Sequence, residues 1–132
     1  MATKSAWVWD ESYKAGADLS AKQYYCVEYT GVDTVNATNA ATDRAIGILQ
    51  NKPVANAGAN VRHLGISMAV SDGSGTAIVA GDTVGPNASG VIVKKATADY
   101  SAIGIAMDAS SANGTVIRVL MIPLNWFRTA AG

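Results

Sequence analysis

The chain has 132 residues, 10 Lys+Arg against 10 Asp+Glu, one His, one Cys and 49% apolar content. That length supports one domain with a real core, while a charged fraction of 15% and a zero net charge leave little repulsion between copies. No basic run exceeds Lys94-Lys95 and no apolar stretch approaches the roughly 20 residues of a membrane helix, so nucleic-acid and membrane partners are not expected.

In chain order, MATKSAWVWDESYK has no apolar h-region and is not read as a signal peptide. Residues 1–17 are expected to form an extended N-terminal arm, with one barrel domain over 18–132. Residues 23–29 (QYYCVEY) are β-rich, and residues 32–41 (VDTVNATNAA) are polar and turn-rich, hence a loop. The alanines of 38–46 allow at most one short helix. Strands are expected at 45–49 (AIGIL), 60–70 (NVRHLGISMAV), 77–80, 82–84, 91–94 (VIVK), 101–107 and 115–122. Turn signals recur every 8–12 residues, so the fold class is all-β: a small β-barrel or β-tulip-like domain of short strands. Gly47, Gly65 and Gly104 inside apolar runs mark the bends that a small barrel needs.

The chain also echoes itself. Ala45-Ile46-Gly47-Ile48 returns as Ala102-Ile103-Gly104-Ile105, an offset of 57, and Val61-Arg62-His63-Leu64 matches Ile117-Arg118-Val119-Leu120. Strand, Gly-bearing loop and Arg-bearing strand recur in order, which points to duplication of a hairpin unit.

Catalysis has little to work with. His63, the only imidazole, sits in an apolar strand and is read as structural; Cys26, beside two tyrosines, is read as a buried small hydrophobe. A lone cysteine cannot form an internal disulfide, which fits a reducing compartment. Asp72-Gly73-Ser74-Gly75 resembles the start of a calcium loop without the distal acid, and a turn explains it. No metal, cofactor or catalytic residues are therefore assigned, and the protein is not expected to be an enzyme.

The ends carry the large rings. Trp7, Val8, Trp9 and Tyr13 lie near the start, Trp126 and Phe127 near the finish, and only Tyr100 falls between residues 30 and 125. Such anchors are typical of interfaces, and Trp7 and Trp9 are read as docking on a neighbouring subunit or another protein. Plugging of a barrel end is the other reading of these rings, and both stand open for Trp126.

Several segments together resemble the capsid decoration (cement) proteins of tailed phages, the DUF2190-like family. They are residues 18–20 (DLS), 23–25 (QYY), 43–53 (DRAIGILQNKP), 78–84 (IVAGDTV), 88–90 (ASG), 103–107 (IGIAM) and 117–120 (IRVL). The resemblance implies a non-enzymatic barrel on the outside of a phage head, made in the host cytoplasm. It would bind the major capsid protein and stabilise contacts between its copies. Self-association as a homotrimer at local three-fold positions is implied, with dimers at two-fold positions as the alternative. A head-fibre or receptor- or glycan-binding barrel module is the alternative function.

Overall fold

The computed structural model describes residues 7–96 and 99–122. Over those residues the protein is all-β, with nine strands and no helix. They are β1 (Trp9–Ala15), β2 (Cys26–Gly31), β3 (Thr34–Ala37), β4 (Gly47–Leu49), β5 (Gly58–Asp72), β6 (Thr83–Pro86), β7 (Ile92–Lys94), β8 (Gly104–Ala106) and β9 (Asn113–Met121).

The pairing order is β1-β3-β2-β4-β5-β7-β6-β8-β9, and β5 also pairs with both β1 and β9. The sheet therefore closes on itself twice: β1-β3-β2-β4-β5 is one five-stranded ring, and β5-β7-β6-β8-β9 is another. Strand β5 is long enough, at 15 residues, to serve both. Its N-terminal half pairs antiparallel with β1 (Glu11↔Val61, Tyr13↔Ala59), and its C-terminal half with β9 (Ala69↔Ile117, Ser67↔Val119).

Each ring has its own aliphatic filling, as strict alternation in β5 dictates: Ala59, Val61, His63, Ser67, Ala69 and Ser71 point inward and are buried. Ala15, Val27, Val35, Leu49, Ala59 and Val61 fill the first ring. Ala69, Val84, Ile92, Ala106, Ile117 and Val119 fill the second, joined by Cys26, Ala45 and Ile48 from the outer side of the first. Those three small or aliphatic side chains glue one barrel to the other.

The duplication is broader than a hairpin. Val27 opposes Gly47 and Ala37 in the first ring, as Val84 opposes Gly104 and Lys94 in the second, so the 57-residue offset holds for β2, β3 and β4. Leu49 pairs with Val61, and Ala106 with Val119, which sets the offset at 58 for the next strand. This corrects the pairing of Arg62 with Arg118. Val61 and Val119 are the equivalent residues, and the two arginines lie two positions out of step.

Backbone conformation follows the same repeat. Tyr24 (φ 69°), Asp33 (φ 50°) and Asn56 (φ 68°) are left-handed, and their counterparts are Gly81 (φ 97°), Gly90 (φ 82°) and Gly114 (φ 89°). The second half has the residue that tolerates this region; the first half bears side chains there at a cost of about 1–2 kcal/mol each. Asp33→Gly and Asn56→Gly should each raise stability, by about 0.5 kcal/mol once the extra freedom of unfolded glycine is subtracted, as a higher denaturation midpoint.

Several local expectations change. Residues 32–41 are not wholly loop, because Thr34–Ala37 is β3, held between β1 and β2. The short helix allowed over 38–46 is replaced by a turn, in which the Asp43 carboxylate accepts from the backbone N–H of Asn39 and Ala40 at 2.9 Å each. Within the segment read as an extended arm, Trp9–Ala15 forms a strand that joins β5 and β3 and closes the first ring.

Candidate functional site

Two surfaces stand out. The first is built on His63, whose inward position in β5 sets it at one end of the first barrel's interior. Its Nδ1 lies 2.7 Å from the Ile46 carbonyl, which only accepts, so Nδ1–H donates. With the ring neutral, Nε2 then accepts from the Tyr13 hydroxyl at 2.7 Å, and Tyr13 accepts from Tyr29 at 2.9 Å. Burial, followed by the Tyr29 hydrogen bond, pushes the Tyr13 phenol well above its ordinary pKa. The rings pack accordingly: Tyr13 is edge-on to Tyr29 and His63 at 5.4 and 5.6 Å, and Trp9 is tilted on His63 at 4.7 Å. Trp9 Nε1 donates to Glu11 Oε1 at 2.8 Å. Although His63 is buried, Trp9 and Tyr29 remain 48% and 53% exposed.

The second surface is the outer side of the β5–β9 ladder. The outward positions of β5 after Arg62 are Leu64, Ile66, Met68 and Val70; on β9 they are Val116, Arg118 and Leu120. Ile66 sits opposite Leu120, and Val70 opposite Val116, so the apolar groups form cross-strand pairs. Leu64, Ile66, Met68, Val116 and Leu120 are each more than a third exposed. Trp7 and Val8 meet β5 at Gly65, whose φ of +101° and missing Cβ let the Trp7 carbonyl approach to where a Cβ would be 2.3 Å away. At the far end the face runs into a groove of ≈ 520 Å³ beside Tyr24, Tyr25 and Lys52.

Charge on this face is cancelled within the chain. Arg62 holds Asp10 with a two-pronged contact at 2.8 and 3.0 Å and donates to the Ile66 carbonyl at 2.9 Å. Arg118 holds Asp108 at 2.7 and 3.0 Å, and that hydrogen bonding draws the Asp108 carboxyl down to about 2. What faces outward is therefore apolar and close to neutral.

Of the residues singled out from sequence, Trp7, Val8 and Trp9 are exposed, at 86%, 42% and 48%, and Tyr13 is half-buried. Trp9 and Tyr13 join the His63 cluster, and Trp7 and Val8 lie against β5 at Gly65. Trp126 and Phe127 lie outside the described residues. Sequence reasoning missed the β5–β9 face and the part played by Tyr29 and His63. The recurrence of large apolar residues at the even positions of β5 (Leu64, Ile66, Met68, Val70) and of β9 (Val116, Leu120), besides the inward ones, was the available signal for the face.

Other features take structural roles. Cys26 is fully buried, and burial pushes its thiol up to about 12. Asp72 Oδ1 accepts from the backbone N–H and hydroxyl of Ser74, which makes a turn of the calcium-like motif. Among the described residues no group of three or more His, Cys, Asp or Glu is placed to hold a metal, and no helix is long and apolar enough to cross a membrane.

No family model matches the chain, and no curated protein matches it. Among solved structures it is similar to the head fibre gp8.5 N base of bacteriophage phi29, with a TM-score of 0.63 and 14% sequence identity. The match covers 89% of this chain and 96% of that one, so the likeness of fold extends through both barrels.

Proposed function

We propose that this chain is a non-enzymatic structural protein of a tailed-phage head, seated on the outer surface of the shell and tying neighbouring major capsid proteins together. The observation that carries the proposal is the neutral apolar outer face of β5–β9. A sheet buried on one side and apolar on the other is half of an interface, and contiguous patches of this kind mark docking surfaces. The fold shared with a phage head fibre base and the resemblance to decoration proteins both favour a shell as the partner. Many weak contacts repeated over a shell give avidity without any pocket, and occupancy stabilises the shell by mass action. On this reading the protein is made in the host cytoplasm, acts on the virion, and assembles as a homotrimer at three-fold positions, or as a dimer at two-fold ones.

A second reading, the base of a head fibre, is favoured by what the phi29 protein is called. The two part in one experiment, in which purified protein is mixed with undecorated heads and shell melting is followed. Cement binds stoichiometrically and raises the melting temperature of the shell; a fibre base binds and leaves it unchanged. Ile66→Asp with Leu120→Asp should weaken attachment at least a hundredfold while the barrels stay folded. Absence of binding by the wild-type protein would overturn both readings.

A further inference from the structure

The two barrels are copies, yet among the described residues the matching end of the second is not lined by the same rings. By the register of the repeat, Tyr13, Tyr29 and His63 correspond to Ala69, Pro86 and Met121 in the second barrel. The second barrel packs well with small and aliphatic groups there, so rings are not what closure of this barrel demands. Something else accounts for three aromatic or imidazole side chains, and a Trp laid over them, at this end.

We propose that this end of the first barrel binds neutral oligosaccharides. One face of the Trp9 indole rests on His63 and the residue is 48% exposed, which leaves a flat apolar platform for the C–H face of a sugar ring. Acceptors stand beside it. Tyr29 stands at the outer end of the chain of hydrogen bonds from Ile46 through His63 and Tyr13, where its half-exposed hydroxyl can bond a sugar hydroxyl. Glu11 uses Oε1 to accept from Trp9 and has Oε2 free to accept from a sugar hydroxyl.

An aromatic platform with a few fixed polar groups is the general make-up of a small-molecule site, and the hydrogen-bond chain holds the rings in place before a ligand arrives. The Glu11 carboxylate selects against anionic sugars by simple repulsion. A protein partner suits this end less well, since four rings offer far less than the roughly 800 Å² a side of a stable interface. The extended apolar face lies instead on β5–β9.

The test is titration of the full chain with maltotriose, cellotriose and chitotriose, and with trigalacturonic acid as the anionic comparison. The Trp9 indole N–H resonance reports binding. At least one neutral trisaccharide should shift it saturably, and trigalacturonic acid should not. Trp9→Ala should weaken that binding at least tenfold, Tyr29→Phe and Glu11→Gln severalfold, and Trp7→Ala not at all; the two conservative variants serve should Trp9→Ala fail to fold. No saturable shift with any neutral trisaccharide, or binding unchanged in Tyr29→Phe and Glu11→Gln, overturns the proposal. So does loss of head attachment in Trp9→Ala without sugar binding by the wild type, which would make this end a shell contact. Head attachment is measured separately, so failure here leaves the structural role of the protein standing.

Discussion

Gly47→Ala and Gly104→Ala should each destabilise the protein by about 2–3 kcal/mol, read as a drop in the denaturation midpoint at unchanged slope. A Cβ at residue 47 would lie 2.3 Å from the Arg62 carbonyl oxygen and 2.7 Å from Val61 Cγ1. At residue 104 it would lie 2.3 Å from the Leu120 carbonyl oxygen and 2.9 Å from Val119 Cγ1. In each case the nearest obstacle is a backbone carbonyl of the neighbouring strand, held in a ladder that cannot retreat without breaking its own hydrogen bonds. The positions are equivalent in the two barrels, so the losses should be similar in size. Gly75→Ala provides the control: no atom lies within 4 Å of a Cβ there, and stability should change by less than about 0.5 kcal/mol. Equal midpoints for Gly47→Ala and Gly75→Ala would refute the close-approach account.

His63→Ala should cost about 3 kcal/mol and leave attachment to heads unchanged. Removing the imidazole deprives the Ile46 carbonyl of a donor and the Tyr13 hydroxyl of its acceptor, and opens a cavity between Trp9 and Tyr13. The loss should appear in thermal melts as a lower Tm, and Tyr29 should lose its fixed orientation because its partner Tyr13 is no longer anchored. A folded His63→Ala protein that no longer binds heads would show that this end, and not the β5–β9 face, meets the shell.

Much of the architecture was legible because alternation and turn chemistry act locally. Strands β5 and β9 declare themselves by length, whereas the Gly residues at 47, 65 and 104, read as bends, prove to be points of close approach by neighbouring backbone. Strands β1 and β3 were harder. WDESYKA and TVNA are short and polar, and they are strands because the ring needs a wall there, not because their residues favour one. The repeat was visible, yet its register was misjudged through Arg62 and Arg118. Identical letters attract the eye, whereas equivalence is set by what packs inward, and Val61 and Val119 do that.

The candidate site was legible only in part. Trp7 and Trp9, two positions apart, gave no hint that Trp9 would stack on His63. A lone histidine in an apolar strand carries no mark of its role, since the partners of His63, Tyr13 and Tyr29, come from 50 and 34 positions earlier. The left-handed Tyr24, Asp33 and Asn56 become interpretable only beside the glycines that match them in space.

Sharing β5 between both barrels has a mechanical consequence. Two beads joined by a linker come apart one at a time under load, but here the same stretch of main chain is a wall of each. Prising open either barrel pulls on a stave of the other, so slack has nowhere to form between them. A pull on the β5–β9 face is borne along the whole 15-residue strand, and the molecule gives way all at once or not at all.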